Sequence, residues 1–322
     1  MIARKHHYVP QCYLKGFSIN RNNPKLYVVD INERRAFTTA PTNIAAERDF
    51  HKIDLDNVPS DAVENSLAQF ESELSKALGR IISSYSISDK NDRALLFNLL
   101  GLLAVKTPRL LEMMRDLDER MAKVIGDLVT STPEIWESQI NQAKANGFIK
   151  NDADTSREKM KEFLRRGEWK VEVDPGQHLH REFKTFDKIL PYIFCRKWVL
   201  LKAPPDTTGF ISSDHPMCLM WSDPKRYNSI GGPGLGLLDT NIIFPVSNEL
   251  ALVGAIEGDE VGLEASEMQI SAINGIIIMN AERQVYARDS DFAYVINSNG
   301  KIMRGDSLHS DSCCVRPHTH NK

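Results

Sequence analysis

Residues 4–17 read RKHHYVPQCYLKGF. His6 and His7 stand side by side, and imidazole titrates close to neutrality, so either ring can act as base, acid or metal ligand. In extended backbone adjacent side chains point to opposite sides, and Pro10 biases Val9 toward that geometry. The pair therefore divides: one ring faces a pocket while the other packs or hydrogen-bonds. Gln11 and Tyr13 add an amide and a phenol able to orient a substrate. The plainer alternative is a surface histidine pair beside ordinary packing.

Two further constellations carry chemistry. Glu64 and Glu71 are two helical turns apart and share one flank. They border the stripe Val63, Leu67, Phe70, Leu74, Leu78 and Ile81, where partial desolvation raises a carboxyl's pKa and fits it for acid–base work or metal binding. A solvated edge with Lys or Arg partners is the commoner outcome. The other is FISSDHP, residues 210–216, where an apolar strand ends in Ser212, Ser213, Asp214 and His215. Asp214 can orient a histidine or bind a metal. Equally, it can close an Asx-turn on backbone N–H groups before Pro216.

Other suggestive stretches weigh less. GGPGLG (231–236) lacks the Lys-Ser/Thr of a P-loop and is interrupted by Pro233, so it reads as a flexible loop or lid. In HLHREF (178–183), His178 and His180 point apart on a helix, and His178 with Glu182 is a plain i,i+4 pair. Cys12, Cys195 and Cys218 read as small buried residues, and Cys313, Cys314, His318 and His320 as adventitious metal binders.

The elements that must position these groups follow from periodicity. KLYVVDI and the return through NERRAF form a β-hairpin, and PTNIAAERDFHKID is irregular or short-helical. Residues 60–147 are helical. One helix carries the stripe above, with Asp61 and Glu64 as its capping box. A second runs from Ser88 or Asp89 to Val105, where Pro108 stops the ladder. A third carries Leu110, Leu111, Met114, Leu117, Met121, Val124 and Leu128. Thr132-Pro133 opens a fourth that Gly147 ends. Residues 150–170 form a solvated helix or a mobile connection, and 178–194 are helical. Short strands follow from 196, with one more helix over about 264–280.

These elements predict an α+β fold. A mixed or antiparallel sheet is built from the N-terminal hairpin and the C-terminal strands, with the helices packed on one side. The expected organisation is a single domain over 1–305, in which a helical section of about 60–194 interrupts the β-rich parts 1–58 and 196–300. Residues 306–322 form a loose tail.

The chain has 322 residues, 42% hydrophobic and 26% charged, enough to bury a sizeable core. A net charge of −3 rules out a global basic field for nucleic acid. No apolar run reaches the ~18–20 residues of a membrane span, and the N-terminus lacks a signal-peptide core, so the expected location is the cytoplasm.

HHYVPQCYLKGF, KLYVVDI, PTNIAAERDF, the Glu64–Glu71 helix, KTPR (106–109), Trp198, FISSDHP and FPVSNELAL (244–252), in this order, resemble the bacterial proteins grouped as domain of unknown function 4238. The resemblance covers about 1–290. It implies a soluble bacterial protein of mobile or sporadic occurrence and supplies no agreed reaction. It also implies that His6, His7, Gln11, Tyr13, Glu71, Arg109 and Asp214 belong to one constellation. Two positions depart from the family pattern. Lys106 stands where arginine is usual, keeping the charge without the bidentate fork. His51 stands where an aromatic is usual.

The functional expectation is a hydrolase of phosphodiester bonds, of a toxin or phage-defence type, with nucleic acid or a nucleotide as partner. His6 or His7 acts as base, and Glu71 and Asp214 as catalytic or orienting carboxylates. Arg48, Lys106 and Arg109 hold anionic oxygens, while Gln11, Tyr13 and Ser213 contact the substrate. A divalent metal would draw on His7, Glu71 and Asp214. The alternative is a non-catalytic binding or sensing module whose histidines satisfy buried polar groups.

Overall fold

A computed structural model describes residues 5–20, 22–48, 62–171, 175–223, 225–226, 231–296 and 300–311. His51, Asp61, the tail cysteines and histidines, and the side chains of His6, Arg48, Glu64 and His178 lie outside the described set. The chain divides into two units, Met1–Thr107 with His178–Lys322, and Pro108–Gln177. The division falls inside the span that reads from sequence as one domain.

The first unit opens with β1 (Lys5–His7) and α1 (Gln11–Leu14). The predicted hairpin follows as β2 (Leu26–Asp30) and β3 (Arg35–Thr39). β4 (Ala46–Arg48) lies in the stretch expected to be irregular or short-helical and pairs antiparallel with β1, His6 opposite Glu47 and His7 opposite Ala46. Two short segments without strand periodicity thus form a ribbon because each supplies the other's backbone partners. Then come α2 (Ala62–Ser84) and α3 (Lys90–Val105). The Asp89 carboxylate caps α3, accepting from Asn91 N at 3.0 Å and Asp92 N at 2.9 Å. Arg80 grips Asp92 with Nε at 2.9 Å and Nη2 at 2.5 Å, tying α2 to α3.

The second unit is helical: α4 (Pro108–Val129), α5 (Pro133–Ala145) and α6 (Arg157–Arg166). Thr132 caps α5 ahead of Pro133, and Ser156 caps α6, which stops at Gly167 in the left-handed region at φ 66°. The charged stretch expected to be a solvated helix or a mobile connection is thus a capped helix. Gly126 lets α6 approach α4, since a Cβ there would stand 2.7 Å from Leu164 Cδ1.

The chain continues through α7 (Pro175–Phe194), β5 (Lys197–Lys202), β6 (Ser212–Ser213), β7 (Cys218–Trp221), β8 (Thr240–Pro245), β9 (Leu250–Ala255) and β10 (Gly262–Glu264). It finishes with α8 (Glu267–Asn280), β11 (Gln284–Ala287), β12 (Ala293–Tyr294) and β13 (Met303–Arg304). The hairpin joins C-terminal strands in the four-stranded sheet β3-β2-β11-β6. A five-stranded sheet, β10-β5-β9-β8-β7, is antiparallel except for β10 against β5. The fold is α+β, as the element order predicts.

Alternation along the strands sends residues to opposite faces. Val28, Leu200, Leu252 and Tyr286 pack with α1, α2 and α3, whereas Val29, Leu201, Ala251 and Val285 pack with α8. Helices therefore cover both faces, not one side. β2, β8, β9 and β11 are apolar on both faces for that reason. Trp198 sits between Phe97, ring centroids 5.0 Å apart, and Gly254, where a Cβ would come within 2.7 Å of the indole. Burying one such aromatic stabilises by about 2–3 kcal/mol. Among the described residues no single helix is long and apolar enough to cross a membrane.

Candidate functional site

The N-terminal peptide folds back onto the later strands. Tyr8 N donates to Ala45 O at 3.0 Å, extending the β1–β4 ribbon. His7 Nδ1 lies 3.1 Å from Ile44 O, and a carbonyl only accepts, so Nδ1 carries the proton. Gln11, half-buried, opens α1. Tyr13 is fully buried, and its hydroxyl donates to Pro245 O at 2.7 Å. With its single proton spent there, Tyr13 Oη accepts from Ser212 Oγ at 2.9 Å. Phe17 and Phe244 flank the phenol, centroids 5.2 and 5.3 Å away. The opening peptide and the strand that leads to Asp214 are thus neighbours, joined through Tyr13 and Ser212.

Asp214 itself is buried, and its carboxylate accepts three backbone N–H groups: Glu282 at 2.8 Å, Arg283 at 2.7 Å and Gln284 at 2.9 Å. Asp214 N donates back to Gln284 O at 3.0 Å. Burial pushes its pKa up to about 6, against the pull of those three donors. The side chain closes the turn between α8 and β11, a long-range version of the Asx-turn alternative. Ser213 Oγ accepts from His215 N at 3.1 Å in the turn that follows β6. Beside it, Arg283 Nε and Gln284 Nε2 donate to buried Asp30 at 2.8 and 3.0 Å. Burial would raise the pKa of Asp30, but these donors and Glu33 N–H hold it below its ordinary value. Tyr8 hydrogen-bonds Tyr286, whose pKa is raised by burial and, in smaller part, by Tyr8 and Asp214. Through Tyr286, Tyr8 links the opening peptide toward Asp214.

A different cluster lies among the helices. Thr107-Pro108 ends α3, and Lys106 takes its C-cap with N–H bonded to Leu102 O. The Lys106 side chain is only 6% exposed. Burial lowers its pKa to about 8, and Glu71 of α2 and Glu182 of α7 pull it back up. Burial raises Glu182 to about 7 and raises Glu71 as well, each partly offset by Lys106. These influences act through space, with no hydrogen bond joining the ammonium to either carboxyl among the described residues. Cys12 borders the cluster: burial and then Glu71 push its thiol up to about 12, far from a thiolate nucleophile.

Lys106 and Glu182 form the polar end of a cavity of about 250 Å³ whose other walls include Leu67, Phe70, Leu102 and Phe186. Two groups expected to act together, Glu71 and Lys106, are thus brought together. Arg109 falls in the second unit. Glu182 escapes the sequence reading, which pairs it with His178. The available signal was its place beside Phe183 and Phe186 on an amphipathic helix. Arg196 escapes it too. It is buried, and its guanidinium donates to Thr240 O, Gly254 O and Leu235 O. The bond to Leu235 O ties the end of the described Gly-rich stretch, 231–236, to that guanidinium.

A metal drawn from His7, Glu71 and Asp214 does not fit. The Asp214 carboxylate is filled by N–H donors, and Glu71 sits within the field of the Lys106 ammonium. Among the described residues no group of three or more His, Cys, Asp or Glu side chains could hold a metal ion. No curated protein and no solved structure matches the chain. The model of the family described as protein of unknown function (DUF4238) matches residues 5–291, and the chain belongs to that family.

Proposed function

We propose that the cavity at Lys106 is the working site, that it receives a compact, largely apolar molecule with one carbonyl or oxyanion head, and that where the head is an ester it hydrolyses the acyl C–O bond by general acid–base catalysis. One observation carries this: a buried lysine in the field of two carboxyls whose pKa values are raised, at the polar end of a cavity otherwise lined by apolar side chains and Asn98. Glu182 as carboxylate takes a proton from the water whose oxygen bonds to the carbonyl carbon, the Lys106 ammonium holds the carbonyl oxygen that gains charge, and Glu182 returns the proton to the alkoxide oxygen as the acyl C–O bond breaks. The carboxylate prevails above about pH 7 and the ammonium below about pH 8, so turnover peaks in that narrow window. The apolar walls favour such a substrate over a phosphodiester backbone, which calls for several fixed cations.

The test uses p-nitrophenyl esters of increasing acyl length with the purified chain. Turnover with a bell-shaped pH profile is expected, falling about 100-fold or more in Glu182→Gln. A second reading, a binding module without catalysis, is favoured by His7 and Asp214 both bonding to backbone groups. Anilinonaphthalene sulfonate, an apolar body with one anionic head, separates the two. Saturable binding lost in Lys106→Met, without ester turnover, supports the module. Neither binding nor turnover overturns both.

A further inference from the structure

We propose that the exposed face of α4 is the seam of an antiparallel coiled-coil dimer between two copies of this chain. Leu110, Met114, Leu117, Met121, Val124 and Leu128 recur alternately four and three residues apart, the heptad spacing that keeps one stripe facing a partner helix. Leu117, Met121, Val124 and Leu128 are 56%, 52%, 66% and 63% exposed. Gly126, which receives Leu164 of α6, lies on nearly the opposite side of the helix at 3.6 residues per turn. The helix therefore packs with one face and presents a second, regular apolar seam to solvent.

Charge selects the occupant and the direction. With Met121 set against Val124 of a second copy, Leu117 meets Leu128, and the flanking positions bring Arg120 opposite Asp127 of the other helix. Two-fold symmetry repeats that pair, so one register gives two complementary contacts. Neither side chain takes part in an ion pair within the described residues. A parallel pair would place Arg120 against Ile125 and lose both contacts. The seam is independent of the Lys106 cavity, which belongs to the other unit.

Sedimentation velocity on the full chain at micromolar concentration tests the proposal. A dimer is expected. Met121→Glu should leave monomers, with circular dichroism confirming unchanged helix content. Arg120→Asp should weaken association by about tenfold, because two attractive pairs become repulsive. Arg120→Asp combined with Asp127→Arg should restore it, as an antiparallel two-fold seam requires. A monomeric wild type overturns the proposal, whether or not the chain then binds phosphatidylglycerol vesicles. So does a dimer indifferent to Met121→Glu, or a double swap that fails to recover.

Discussion

Asp214 and Lys106 are both buried and ionisable, yet their surroundings differ in kind. The Asp214 carboxylate receives three backbone N–H groups of one turn, so its charge is consumed in holding β11 to β6. Lys106 has two carboxyls near enough to be felt, bonds to neither, and opens on a cavity. A buried charge satisfied by backbone fixes a fold. A buried charge left to through-space neighbours keeps a titratable proton and room for a ligand.

The contrast can be broken most sharply at Asp214. Asp214→Ala leaves three part-buried backbone donors without their acceptor and should lower unfolding free energy by about 2–4 kcal/mol in urea titrations. A loss under about 1 kcal/mol would mean the turn holds without it. Tyr13→Phe comes next. It removes the donor to Pro245 O and the acceptor for Ser212 and should cost about 1–3 kcal/mol, with ester turnover at the Lys106 cavity unchanged.

The smallest effect sharpens the Lys106 side. Glu182 is raised from 4.5 to about 7, so its protonated form is favoured in the native state. Its contribution is fully present below pH 4.5 and is lost as pH rises to about 7. Glu182→Gln avoids that loss. Its stability relative to wild type should improve by about 1–2 kcal/mol across the window, after allowance for solvent screening. A constant difference between the two proteins would place Glu182 in ordinary solvent.

Much of the scaffold is legible because local rules and tertiary packing agree. The hairpin at 26–39 shows in its β-branched content, and α3 and α5 show in Asp89, Thr132 and the prolines at 108 and 133. β1 and β4 do not show, since three-residue strands carry no periodicity and exist through their mutual pairing. The position of α8 on the second sheet face is likewise decided by packing. At the site, Glu71 and Lys106 are marked by a core-edge position and a helix end. Glu182 stays hidden because its meeting with Lys106 depends on how α7 docks, a contact far apart in sequence. Asp214 stays open between turn and site for a related reason: its partners are backbone groups of Glu282, Arg283 and Gln284, invisible in a string of side chains.

Lys106 and Glu182 are chemically poised while held inside the protein. Carbon-detected NMR titration of both side chains, in the intact chain and in Glu71→Gln, tests this most directly. The expected result is an ammonium that titrates near 8, a carboxyl near 7, and a lower value for Lys106 once Glu71 is neutral. Titration of Lys106 at its ordinary 10.5 and Glu182 at 4.5 would contradict it.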